Sequence, residues 1–222
     1  MISVILICHN YGRYIQQCFD SIYANNQNLV NEIIVINDSS EDNSSKIIEA
    51  NRFKNNKIKH FTTNYKSLSK SYNFGVEKSN SEYISKIDAD DLYKDNFISD
   101  FFNHMSKNKL DLVYGNLLVH DEKNGKQIIK VQQVSNFLRL FKYPVGGGTI
   151  FKKDLWKEIG GFDEKLKFQD DYDFWLRINK LKNKNIGYFN QVGYVHRKHM
   201  FNMSNNLFKK NYTKIKVFLK NY

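Results

Sequence analysis

Asp88-Ala89-Asp90-Asp91 sets three carboxylates within four residues, directly after the apolar run Tyr83 to Ile87. Like charges this close repel unless a cation or hydrogen bonds offset them. Mg2+ and Mn2+ favour carboxylate oxygens supplemented by phosphate oxygens, so one reading of the cluster is a divalent-ion site. The other is an acidic helix N-cap ahead of Leu92. A second acidic group, Gln169-Asp170-Asp171-Tyr172-Asp173, opens a predicted helix over 170–181. Read alone, it is a first turn whose charge complements the helix dipole. His9-Asn10 and Asn37-Asp38 are two further polar pairs, each at the end of an apolar run.

The elements that must position these groups follow from periodicity. Ile2 to Cys8 and Glu32 to Ile36 are continuous apolar runs that predict buried strands. Short strands are also expected at Ile58–Phe61 and Tyr83–Ile87. Helices are expected over 12–25, from the Asn37–Ser40 turn to about 50, and over 67–78. Strands alternating with helices predict an α/β fold with a mostly parallel central sheet flanked by helices. In such sheets ligands bind beyond the carboxyl ends of the strands. By that rule His9-Asn10, Asn37-Asp38 and Asp88–Asp91 line one rim. The second half is less regular: Leu112–Val119 and Gln127–Val131 predict strands about an Asn124-Gly125 turn. Gly146-Gly147-Gly148 predicts a loop before Thr149-Ile150-Phe151.

Composition narrows the classes. With 41% hydrophobic and 15% aromatic residues, the 222-residue chain can bury a core and is not disordered. Cys8 and Cys18 are too few for a disulfide framework and suit reduced, buried side chains. No apolar stretch reaches the ~18 residues of a membrane span, and no cleavage signature precedes the first strand, so a cytoplasmic location is expected. The net charge of +11 is one-sided: residues 1–173 balance, and the remainder holds 11 cations and no acid. Such a segment suggests an anionic partner. A nucleic acid is not expected, because a rim of carboxylates would repel its phosphates.

ISVILICHNYGRYI, EIIVINDSSED, NYKSLSKSYNFG, YISKIDADD, GGFDEKLKFQDDYDFWLRI and RKHMFNMS occur in the order of a family 2 glycosyltransferase. The chain from Ile2 to about Ser204 resembles that family, which implies the GT-A fold. The resemblance implies a GT-A domain over 1–204, with a nucleotide-sugar-binding half at 1–108 and an acceptor-binding, catalytic half at 109–204. It places His9 against the nucleotide base, Asn10 among the nucleotide-sugar-binding residues and Asp38 as the reader of uracil. Asn73 matches the donor-binding segment. Tyr72 stands where the family often has a basic residue, and Lys70 is the candidate substitute for that charge on the diphosphate. Asp88 corresponds to the aspartate near the ribose and Asp90 to the metal-binding residue. Asp171 corresponds to the base that takes the acceptor's proton, with Asp170 supporting it. His199 matches a late histidine that ligates the metal or diphosphate, and Arg197 is a candidate phosphate partner; His196 is the alternative histidine. The implied cofactor is Mn2+ or Mg2+.

The implied activity is inverting transfer of one sugar from a nucleotide sugar, a UDP-sugar by the Asp38 match, to a glycan or lipid-linked hydroxyl. Bacterial surface polysaccharide synthesis is the implied setting. A Gln-x-x-Arg-Trp signature of processive members is absent. Two rivals remain open. A sugar nucleotidyltransferase should carry a Gly-rich basic loop after the first strand, and CHNYGRY offers one Gly and one Arg. An inactive binding relative should have lost Asp90 or Asp171. In the tail, 205–222, Phe208, Tyr212, Ile215, Phe218 or Leu219, and Tyr222 recur at helical spacing among lysines. This predicts a basic amphipathic helix that lies on an anionic membrane, packs on its own domain, or joins a second subunit in a homodimer.

Overall fold

The computed structural model describes residues 1–130, 147–202 and 207–221, with side chains from 211 onward in the last stretch. The first strand, β1 (Ile2–Cys8), is the axis of the sheet. It pairs in parallel with β2 (Val30–Asp38) on one side and β4 (Tyr83–Asp88) on the other. Beyond β2 lies β3 (Ile58–Thr63), also parallel. Because β2 and β3 build outward one way and β4 the other, the chain direction of building reverses between β1 and β4. That reversal opens a crevice at the carboxyl ends of the two strands.

The apolar runs are strands because both sheet faces are covered. Successive side chains of a strand point to opposite faces. Val4, Leu6 and Cys8 meet α1 (Ile15–Tyr23), α2 (Ser44–Lys54) and α4 (Phe97–Lys107), through Ile15, Phe19, Ile48 and Phe101. Ile5 and Ile7 meet α3 (Leu68–Lys78), α5 (Lys153–Glu158) and α6 (Asp170–Asn179), through Tyr72, Val76, Trp156 and Phe174. Both cysteines are buried and unpaired, as expected.

The second half departs from a purely parallel sheet. β8 (Thr149–Lys152) inserts antiparallel between β4 and β6 (Leu112–Asp121). β7 (Lys126–Lys130) hairpins onto β6; Val131, expected to end that strand, lies outside the described residues, as does Gly146. The 13-residue β9 (Ile186–Lys198) runs parallel to β6 and was not foreseen. The short β5 (Leu92–Tyr93), just after the acidic cluster, pairs with β9 through Leu92–Val195 and Tyr93–Tyr194. This pairing carries residues 196–202 to the rim.

The tail is helical over α7 (Leu207–Asn221). Val217 is fully buried against Tyr172 and Leu176 of α6, with Phe218 packed beside it. Lys220 bonds Asp163 at 2.6 Å and Asp173 at 3.3 Å. Tyr212, Ile215 and Leu219 stay exposed. The expected single stripe is therefore split, with Phe218 facing inward. The side chains of Phe208 and Tyr222 lie outside the described residues.

Candidate active site

A cavity of about 1020 Å3 occupies the crevice beyond β1 and β4. Three strand ends and one helix start reach it: His9-Asn10 after β1, Asp38 as the last residue of β2, Asp88 at the end of β4 with Asp90 and Asp91 just beyond, and Asp170-Asp171 at the start of α6. Asn10 adopts a left-handed backbone (φ 58°), which bends the chain sharply off β1. Its Oδ1 accepts from the Glu41 amide at 2.7 Å and its amide donates to Ser40 Oγ at 2.9 Å, so the first two loops are laced together. His9 Nδ1 lies 2.6 Å from the Asp38 carbonyl, which orients the exposed ring along the cavity wall.

The acidic cluster divides its work. Asp88 accepts from the buried Tyr72 hydroxyl at 2.7 Å. Burial, then the charges of Asp90 and Asp91, push its carboxyl up to about 8, against the opposing pull of Lys86 and Tyr72. Asp90 Oδ2 lies 3.0 Å from His199 Nε2 and accepts from Asn202 Nδ2 at 3.2 Å. Asp91 accepts from the Tyr194 hydroxyl at 2.7 Å and the Arg197 amide at 2.8 Å, and faces His196 Nδ1 at 3.2 Å. Its carboxyl is raised by burial first, while burial pulls His196 down and the Asp91 contact more than restores it. Asp91 thus locks β9 to the rim, while Asp88 and Asp90 remain on the cavity wall.

Across the cavity, Asp171 Oδ1 is 2.6 Å from Lys86 Nζ. Lys86 is on β4, with 6% of its side chain exposed, and its ammonium sits 4.2 Å from the Tyr72 ring centre and 4.7 Å from that of Phe162. Burial pulls this ammonium down, but Asp171, Asp170 and Asp88 outweigh that and hold it above its ordinary value. Asp171 keeps 26% of its side chain exposed. Asp170 is buried and its Oδ2 has no hydrogen-bond partner. Burial and the neighbouring Asp171 charge push Asp170 up to about 6. Asp173, one turn inward, pairs instead with Arg177 at 2.6 Å.

Four residues expected on the donor side lie as follows. Asp38 oxygens already accept from the Lys66 and Ser67 amides (both 3.1 Å), Ser71 (3.0 Å), Thr63 (3.2 Å) and Ser39 (3.3 Å). A carboxylate has about four acceptor sites, so this one ties the β3–α3 loop at the place where it lines the cavity. Asn73 is likewise engaged: Nδ2 donates to the Phe162 carbonyl and Glu164, and Oδ1 accepts from Trp156 and the Phe162 amide. The Arg197 guanidinium turns inward, bonding Gln17 and lying 5.2 Å from the Tyr14 ring centre. Lys70 is exposed on the first turn of α3 and does not line the cavity; Lys66 and Lys167 do. Lys86, behind Tyr72, is a buried cation of the site that the sequence reading did not single out. A lone Lys inside an apolar run gave no sign of this in the sequence.

The donor set accepts a divalent ion only in company. Asp90 and His199 are adjacent and supply an oxygen and a nitrogen that Mn2+ or Mg2+ can take. Among the described residues, no three His, Cys, Asp or Glu groups gather to hold an ion alone. Ions of this kind commonly bind through one or two protein groups plus substrate phosphates and water.

Residues 3–206 match the model of Glycosyl transferase family 2. An uncharacterized glycosyltransferase of Rickettsia typhi is 29% identical over 194 residues, covering 82% of this chain and 60% of the relative. Glycosyltransferase GlyG of Streptococcus pneumoniae is 26% identical, covering 82% of this chain and 67% of that protein. The O-antigen biosynthesis glycosyltransferase WbnJ of Escherichia coli is 28% identical, covering 80% and 71%. In fold, the chain is similar to residues 1–349 of S. aureus TarS in complex with UDP-GlcNAc, at a TM-score of 0.77 and 20% identity, covering 92% of this chain and 60% of that one. The chain thus spans about three fifths of the length of several proteins it matches.

Proposed function

The chain belongs to glycosyl transferase family 2 and has its α/β GT-A fold, and on that premise we propose that it transfers a single sugar from a UDP-sugar to a hydroxyl of a glycan or lipid-linked acceptor, with inversion. The observation that carries this reading is convergence. The ends of β1 and β4 and the first turn of α6 bring two separate acidic groups to one cavity of about 1020 Å3. One acidic group suits the diphosphate side and the other the acceptor side.

Asp171, facing the cavity, takes the proton from the acceptor hydroxyl. The freed oxygen attacks the anomeric carbon as the bond to the diphosphate breaks, which inverts that carbon. Asp88 faces the ribose, and His9 lies along the base. Asp90 with His199 would hold Mn2+ or Mg2+, which supplies charge to offset the diphosphate as it leaves. Surface polysaccharide synthesis is the setting, supported by the similarity to the E. coli O-antigen biosynthesis glycosyltransferase. The exposed face of α7 is proposed to rest on an anionic membrane. Among the described residues no helix is long and apolar enough to cross one.

Calorimetry and thermal shift with UDP, GDP, ADP, UDP-glucose, UDP-galactose and UDP-GlcNAc, each with and without Mn2+, test the reading. UDP ligands should bind best, and more tightly with Mn2+. A protein that prefers GDP, or binds none of these, would overturn it.

A further inference from the structure

We propose that Lys86 is a positioning residue of the transfer reaction: from inside the sheet it holds Asp171 in place and supplies a cation that lets three carboxylates share this wall. The inference rests on Asp171 being the base.

The geometry is specific. Lys86 lies on β4 two residues before Asp88, and its Nζ reaches across to α6, 2.6 Å from Asp171 Oδ1. The ammonium is sandwiched by the Tyr72 and Phe162 rings at 4.2 and 4.7 Å. Cation–ring contacts of this kind hold a buried cation without consuming its hydrogens. Tyr72 in turn donates its hydroxyl to Asp88. One buried lysine therefore joins the sugar-donor side, through Tyr72 and Asp88, to the acceptor side, through Asp171. The titratable groups facing it are Asp88 on its own strand, Tyr72 on α3, and Asp170 and Asp171 on α6.

A buried ion pair is weak evidence for stability, because its desolvation offsets most of its attraction. What such a pair does provide is a fixed orientation. Asp171 is on the first turn of a helix and a quarter exposed, so without the Lys86 contact its carboxylate would have more rotamers open over the cavity. Misplacing a reacting group by about 1 Å can cost on the order of 10²-fold in rate. A void of about 30 Å3 adjoins Lys86 and Asp171, bounded by Leu112, Phe151 and Trp175, and gives room for a guanidinium in place of the ammonium.

The test uses the whole chain and reads UDP release, with water as acceptor, from whichever of UDP-glucose, UDP-galactose and UDP-GlcNAc binds best. Lys86→Gln should lower kcat roughly 10–10²-fold while the affinity for UDP changes less than about twofold. The Lys86 charge lowers the Asp170 carboxyl, so without it that group should bind its proton at higher pH and the acid limb of the kcat profile should move up. Lys86→Arg, which keeps the charge, should restore kcat and the limb. A Lys86→Gln protein with wild-type kcat and profile overturns the proposal. So does an equal loss in Lys86→Arg with an unmoved limb, which marks a merely structural role. If Lys86→Gln fails to fold, a folded Lys86→Arg that does not retain kcat overturns it alone. Asp171→Asn is measured alongside. Near-normal turnover there removes the base reading itself, whereas an inactive Asp171→Asn with an indifferent Lys86→Gln removes only the role of Lys86.

Discussion

Two adjacent carboxylates at the start of α6 have different environments, and that difference sets the roles proposed for them. Asp171 has a cation at 2.6 Å, and Asp170 has burial and an unpartnered oxygen. Asp171→Asn should reduce transfer ~10²–10⁴-fold with UDP affinity nearly unchanged, and Asp170→Asn should cost less. If Asp171→Asn stays active and the remaining rate rises through about pH 6, the proton acceptor is Asp170, whose carboxyl is held at about 6. Stability gives an independent check on that value. Asp170 binds its proton more tightly folded than unfolded, so its contribution is present at acid pH and is lost as pH rises from the ordinary 3.8 through about 6. Asp170→Asn should flatten the fall of Tm across that window; a pH dependence of Tm identical to wild type rejects the raised carboxyl. The two acidic clusters were legible in the sequence because several acids crowd a few positions. Lys86 was not, since a strand lysine ordinarily points to solvent, and only the cover of α3 and α6 makes this one internal. At the rim, Asp90→Asn should weaken Mn2+-dependent UDP binding at least about tenfold, near 1.4 kcal/mol. Equal metal-dependent affinity in calorimetry would reject Asp90 as a ligand.

At the scale of elements, polar side chains near the cavity turn out to be joinery as often as contact surface. Asp38 fastens β2 to the loop before α3, and Asn73 fastens α3 to residues 162–164. Gly161 completes that second joint. Its φ is +75°, and a Cβ there would sit 2.8 Å from Asn73 Oδ1. Cap-type residues are visible in sequence, but which backbone amides they reach depends on loops whose paths local propensity does not encode. The strands β1 and β2 were readable because they are apolar on both faces. β9 was hidden: Asn190-Gln191 interrupts its pattern, and its pairing with β6 shifts register at Gly115–Leu117. Because β9 carries His196 and leads to His199, the histidines of the site were placed by resemblance and not by pattern. Asn73→Ala should lower Tm by about 5–10 °C, the scale of losing several buried hydrogen bonds in a chain this size, and leave UDP affinity unchanged. An intact Tm with weakened UDP binding would return Asn73 to the donor-contacting set.

At the scale of the whole molecule, the charge asymmetry and the tail belong together. The 11 cations after Asp173 are not all free for a partner: Lys220 bonds Asp163 and Asp173, and Arg177 bonds Asp173. Part of the excess therefore neutralises acids of the same domain. α7 has two faces with different duties. Val217 and Phe218 close the outer side of α6, whose first turn holds Asp170 and Asp171, so this face supports the site from behind. Val217→Ala should lower Tm measurably, through lost burial and the cavity left behind. The opposite face shows Tyr212, Ile215 and Leu219 to solvent, with Lys216 lying 4.5 Å from the Tyr212 ring centre. An apolar face flanked by lysines is the form of a helix that rests in an anionic interface, and screening by salt should weaken that attachment. Changing Tyr212, Ile215 and Leu219 together to Ser should therefore leave Tm and UDP affinity unchanged. It should also abolish sedimentation with phosphatidylglycerol vesicles at low salt. Wild-type protein that fails to sediment removes the membrane reading outright. A triple variant that sediments normally but converts a dimer to a monomer in light scattering assigns the face to a second copy of the chain.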